Sequence, residues 1–184
     1  LESSAISFGF ATATYTGQNF GARDLPRIRS GIRSAMKLAA LFAVTISVGM
    51  VLFGRYLLMM FISSSDADAP AVLELAYQYL TIMSVTLIIL YALHVYRSAI
   101  QGMGNTIIPM IAGLLECVGR VSVALFLPRI VGEYGLFFAE TTAWLFSAVC
   151  VMTAFYVTVH RLSASEREGE KSSDSKTGHP CTLT

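Results

Sequence analysis

The sequence predicts an all-α membrane protein, a polytopic transmembrane helical bundle, and three observations predict it. Four long apolar stretches occupy 38–62, 71–95, 106–127 and 136–159. Each matches the roughly 20 helical residues that cross a bilayer's hydrocarbon core. The chain of 184 residues is 54% hydrophobic and 14% charged, with a mean hydropathy of +0.62, whereas a soluble domain carries about 25% charged residues. The charges are also segregated, mostly into 22–37 and the part after His160. The apolar runs are continuous rather than alternating, which excludes a β-barrel reading.

The elements follow in order. Residues 1–20 are moderately apolar and rich in Ser and Thr. They read as the end of a fifth spanning helix, so the chain is expected to be the C-terminal part of a longer polypeptide. The opening lacks the basic region of a signal peptide. Gly17 to Asp24 suits a turn, with Asp24 placed to cap the next helix and Pro26 in its first turn. Arg27, Arg29, Arg33 and Lys37 precede the first complete span. The connectors are a polar, acidic one at 63–70, a tight Gly-rich one at 101–105 and a third at 128–135. Such short links make neighbouring helices antiparallel. The bundle is expected to cover 1–162, and the Ser-, Lys- and Glu-rich segment 163–184 is expected to be a disordered cytoplasmic tail.

Orientation follows from Lys and Arg. If helices alternate and 22–37 is cytoplasmic, that side collects Arg23, Arg27, Arg29, Arg33, Lys37, Arg97, Arg161, Arg167, Lys171 and Lys176. The other side has Arg55 and Arg129, and Arg120 lies within a span. The expected location is a plasma or inner membrane, crossed several times, with membrane lipid as a partner.

Composition and motifs exclude several functions. A net charge of +1 does not suggest nucleic acid. Gly102-Met103-Gly104-Asn105 has the outline of an intramembrane aspartyl protease motif, but Asn stands where general acid–base work needs a carboxyl. No nucleophile elbow, HExxH or acidic triad is present. The three histidines are scattered, and no Cys/His spacing suggests a metal. The chain reads as neither an enzyme nor a cofactor protein. Cys117 and Cys150 read as small apolar residues. Cys181-Thr182-Leu183-Thr184 has the outline of a prenylation box but lacks its basic run.

The polar residues inside the spans carry the functional question. Glu116 and Arg120 fall about 15 and 21 Å along a helix starting near Thr106, close to the middle of a ~30 Å core. A charge there costs at least ~2.5 kcal/mol, so it should face protein or a water cavity. Their i,i+4 spacing puts them on one face, acid before base. Two kinds of reading stand: a functional one, as a substrate or proton site or as a charge latch between conformations, and a static ion pair that orders the bundle. His94 is a candidate proton carrier or a locally bonded histidine, and Tyr91 shares its face. Arg97 is expected to snorkel to headgroups. Gln18 and Asn19 either line a pathway or serve the turn. Glu140 is expected to pair with Arg129 or face water. Trp144, Tyr77, Tyr79 and Tyr156 read as interface anchors or packing.

Together these residues resemble the multidrug and toxin extrusion (MATE) family of cation-coupled antiporters. Gly17-Gln18-Asn19-Phe20-Gly21-Ala22 with Arg27 resembles that family's loop after the second helix of a half. Gln101-Gly102-Met103-Gly104-Asn105-Thr106 with Pro109 resembles its arginine–glycine–x–glycine–aspartate–threonine…proline element. Glu116 to Arg120 resembles its glutamate–x–x–x–arginine segment, and Gly132, Gly135, Ala139, Ala143 and Trp144 the opening of its last helix. The likeness covers roughly 6–161.

The resemblance implies a twelve-helix transporter of two six-helix lobes, with this chain holding the second lobe less its first helix and a half. It implies export of amphipathic or cationic drug-like small molecules in exchange for H⁺ or Na⁺, by alternating access, with the N-terminal lobe of the same polypeptide as partner. The family's usual Arg is Gln101 here and its usual Asp is Asn105. Around Leu90 and Tyr91, where some members carry a cation-binding acid, there is none. The coupling site is therefore expected in the other lobe. Glu116 and Arg120 are the leading pathway candidates, with Tyr91, His94, Gln18 and Asn19 behind them. The alternatives are a lipid-linked oligosaccharide flippase of the same superfamily and a non-transporting membrane protein.

Overall fold

The computed structural model describes residues 2–61, 69–131 and 137–177. Most of the 63–70 connector, Gly132 and Gly135, and the Cys181 box lie outside the described residues. The helices are α1 (Glu2–Gly21), α2 (Leu25–Met59), α3 (Ala69–Gly102), α4 (Ile107–Phe126), the single turn α5 (Pro128–Val131) and α6 (Phe137–Thr177). Four pieces are long and apolar enough to cross a membrane: α2, α3, α4 and Phe137–Ser165 of α6. They coincide with the four apolar stretches of the sequence. Helix α6 continues to Thr177, past Ser163, where composition alone places an unfolded tail. The strong helix formers Glu166, Arg167, Glu168, Glu170 and Lys171 support that continuation.

The helix ends follow local chemistry. Helix α1 runs on to Gly21, so Gln18 and Asn19 are helical, a correction to the turn expected there. The chain reverses only at Ala22–Asp24. The Arg23 N–H donates to Phe20 O and the Asp24 N–H to Asn19 O, which is a Schellman stop. Arg23 holds the left-handed position, at φ +57°. Asp24 then caps α2, its carboxylate accepting from Arg27 N–H at 2.9 Å. Helix α3 ends the same way: Gly104 N–H donates to Gln101 O and Asn105 N–H to Ile100 O, with Gly104 at φ +82°.

Helix α3 is the centre. It packs against α1 and α2 on one side and α6 on the other, and α4 packs on α6. Its buried residues (Leu87, Leu90, Tyr91, Leu93, Val95, Tyr96, Ala99, Ile100) sit on several faces, as expected of a helix surrounded by others. The outer helices show the reverse of a soluble pattern. Within its apolar run helix α2 buries Ala39, Ala43 and Gly54 while Leu41, Phe42, Leu52 and Phe53 are exposed. Helix α4 buries Pro109 and Ala112 and exposes Met110, Leu114 and Val118. Small residues between helices with large apolar ones outside is the arrangement of spanning helices, where lipid solvates the outer face. So broad an apolar surface would drive a soluble protein to associate. Cys117 is exposed on this outer face of α4 and Cys150 is half-buried.

Polar side chains tie the spans together. Ser47 Oγ donates to Ser84 O, Tyr77 OH to Val51 O at 2.8 Å and Ser147 Oγ to Ala112 O at 3.2 Å. Such bonds contribute about 0.6 kcal/mol each inside a membrane. Gly102 lets α3 approach α1: a Cβ there would lie 2.5 Å from Ala13 O.

Candidate functional site

Four charged residues of α3, α4 and α6 form one chain of alternating sign. The α3–α4 turn sets it up. Asn105 Oδ1 accepts from Ile107 N–H at 3.1 Å and Ile108 N–H at 3.2 Å, fixing where α4 starts and hence the depth of its charges. Glu116 then lies about 13 Å into α4 and Arg120 about 20 Å. The Arg120 guanidinium contacts Glu116 at 3.2 Å and Glu140 of α6 at 2.9 Å. Arg97 of α3 contacts Glu116 from the other side at 3.6 Å. The order is Arg97, Glu116, Arg120, Glu140, across three helices and with no net charge.

Two of these positions correct the sequence reading. Arg97 turns inward, to Glu116 and to the Pro109 carbonyl at 3.4 Å, instead of reaching for headgroups. The absent side chain of Gly113 makes room, since a Cβ there would lie 3.1 Å from the Arg97 guanidinium. Glu140 pairs with Arg120, while Arg129 is exposed on α5. The packing of α6 on α4 decides that choice. Sequence spacing shows only the i,i+4 pair. The sole signal for the other two members is that each is a lone charge at the end of an apolar run.

A cavity of about 290 Å³ opens beside the chain. Arg120 and Glu140 line it, with Tyr79 and Trp144 as aromatic walls and Met83, Leu87 and Leu90 as an apolar one. Glu2 also reaches it. Among the described residues Arg120 Nε has no hydrogen-bond partner though it is buried. Tyr79 and Trp144 therefore serve this wall, while Tyr77 ties α3 to α2 and Tyr156 meets Tyr96 OH at 3.2 Å.

The remaining candidates sit elsewhere. Tyr91 is 0% exposed, its ring between Phe8 and Phe42 and its hydroxyl donating to Ser4 Oγ at 2.6 Å. His94 is half-buried, with Nδ1 3.0 Å from Leu90 O. Asn19 is buried and donates to Tyr15 O at 2.7 Å, whereas Gln18 is exposed in the last turn of α1. Among the described residues none of these four bonds to the charge chain, and no three His, Cys, Asp or Glu converge on a metal position.

The comparisons agree with this architecture. A family model described as MatE matches residues 3–126. Among solved structures the chain is similar to a multidrug resistance MATE family transporter of the MOP superfamily, in an inward-facing conformation. The TM-score is 0.70 at 19% identity, over 80% of this chain and 33% of the other. The chain thus spans about a third of that transporter's length, and at this identity the likeness shows the fold alone. No curated protein matches the chain.

Proposed function

This chain belongs to the MatE family, a family of transporters and not of enzymes, and on that premise we propose that it serves a multidrug efflux antiporter. The chain is an integral, multi-pass membrane protein. Its proposed task is export of amphipathic or cationic small molecules against H⁺ or Na⁺, with this bundle rocking against an N-terminal lobe of the same polypeptide.

One observation carries the reading: a balanced chain of four charges beside an aromatic-walled cavity. Tyr79 and Trp144 offer faces to a flat apolar body and to a cation. Glu140 offers it a carboxylate. A bound cation competes with Arg120 for Glu140, and Arg120 keeps Glu116 as its second anion. Substrate thereby shifts the population between two pairings of one guanidinium, the differential contact that a two-state transporter needs. A carrier of lipid pyrophosphate would need cations in excess, and this site has two of each sign. The coupling ion is assigned to the other lobe, because the α3 stretch around Leu90 and Tyr91 holds no carboxylate. The Lys and Arg bias supports a cytoplasmic C-terminus in a plasma or inner membrane.

The test is dye efflux from cells expressing the complete polypeptide, with and without an ion gradient. The expected result is gradient-dependent loss of a cationic dye, strongly reduced by Glu140→Gln. Dye retention that ignores expression of the protein would refute the proposal.

A further inference from the structure

At the arginine-bearing end of the bundle, a second cavity of about 310 Å³ lies between α2 and α6. Its inner surface is apolar and buried: Ile32, Phe155 and Val159. Its mouth is cationic. Arg29 and Arg33 of α2 and His160 of α6 line it and are exposed. The hydroxyls of Tyr96 and Tyr156, which also line it, lie 3.2 Å apart. Arg29 donates across the mouth to Ser163 Oγ at 2.9 Å. Among the residues whose side chains are described, no carboxylate pairs with Arg29 or Arg33; the ion pairs of the bundle involve Arg97 and Arg120, away from this mouth.

Depth and shape narrow the occupant. Arg29 and Arg33 are one turn apart on one face. Arg33 stands about 8 Å before Leu38, where the apolar run begins, and Arg29 about 13 Å. The headgroup layer extends roughly 5–8 Å beyond the core on each side, so Arg33 stands at its outer edge, and Arg29, one turn further out, reaches it only along its long side chain. Two guanidinium groups with an imidazole suit a phosphodiester. Below the mouth, Tyr156, Thr153 and Val149 are exposed on one face of α6, a track leading into the hydrocarbon. A free anion would use the mouth and leave the apolar floor and the track unused.

We propose that this cavity holds the headgroup of an anionic phospholipid, its phosphate between Arg29, Arg33 and His160 and an acyl chain along Phe155, Tyr156 and Val149. Bound there, the lipid bridges α2 and α6, adding to the Arg29–Ser163 hydrogen bond and to the packing of both helices on α3. Basic pockets between spanning helices take such headgroups by the same chemistry.

The experiment titrates the purified chain in detergent with phosphatidylglycerol, with phosphatidylcholine of identical acyl chains and with inorganic phosphate, reading bound lipid by native mass spectrometry. The expected result is phosphatidylglycerol bound in clear preference to phosphatidylcholine. Arg29→Gln should weaken it about fivefold and the exposed charge reversal Arg33→Glu about 25-fold. Arg55→Gln, at the opposite end, should leave it within about twofold, as its charge lies more than a Debye length away. If Arg33→Glu does not elute as an intact species, Arg33→Gln takes its place, with about a fivefold loss expected. Equal binding of the two lipids, or undiminished binding by the folded Arg33 variant, overturns the proposal. Displacement of phosphatidylglycerol by millimolar inorganic phosphate overturns the lipid as occupant and leaves a soluble anion.

Discussion

Glu116→Gln removes the one carboxylate that two guanidinium groups share, at 3.2 Å from Arg120 and 3.6 Å from Arg97. The amide keeps the size of the side chain and loses its charge, so the site goes from neutral to a net positive charge held by Glu140 alone. Losing one partner of a fully buried pair costs about 3–5 kcal/mol. These side chains are 18–43% exposed, so screening lowers the expected loss to about 2 kcal/mol. For a chain of this length that is a fall in Tm of about 4–8 °C. The assay is thermal unfolding in detergent by circular dichroism and by emission of the single tryptophan, Trp144, which lines the cavity beside Arg120 and Glu140. Arg97→Gln alone should cost about 1 kcal/mol, and clearly less in the Glu116→Gln background, where only its long bond to Pro109 O remains to be lost. Single effects that add within about 0.3 kcal/mol would show that Arg97 and Glu116 do not interact and would refute the charge chain.

Three further outcomes are expected. Arg23 holds a left-handed conformation at φ +57° that glycine adopts without a Cβ penalty, so Arg23→Gly should stabilise the chain by about 0.5–1 kcal/mol, read as a rise in Tm. Asn105→Ala removes both side-chain bonds at the start of α4 and should destabilise by about 1 kcal/mol, whereas Asn105→Asp keeps the acceptor and adds a charge favourable to the helix dipole, leaving Tm equal or higher. Gly102→Ala would press a Cβ to within 2.5 Å of the Ala13 carbonyl. Backbone cannot swing aside as a side chain does, so a loss of about 1–3 kcal/mol is expected in the same melting experiment.

Much of the fold was legible in the sequence because its cause is one-dimensional. Transfer of a helix into lipid depends on length and mean hydropathy, so α2, α3, α4 and the membrane part of α6 stand where the apolar runs stand. Asp24 and the Gly104-Asn105 turn were equally readable, since caps act over three or four residues. The depth and the pairing of Glu116 with Arg120 followed from helical rise and periodicity. The end of α1 was misread because Gly17 to Gly21 has turn composition, yet the Schellman bonds to Phe20 and Asn19 close only after Gly21.

What spacing along one helix cannot contain is the choice of partner on another. Arg97 had headgroups or Glu116 within reach of its long side chain, and Glu140 had Arg129, water or Arg120. The space above Gly113 and the packing of α6 on α4 settled both. The sequence by itself determined that the chain dissolves in a bilayer, which segments cross it and which charges sit at mid-depth, because solvation and helical rise are local properties. Only the tertiary structure decided that Arg97 and Glu140, at the ends of their apolar runs, join Glu116 and Arg120 in one neutral chain beside an aromatic cavity, because ion pairs between helices depend on distances that the packed bundle alone sets.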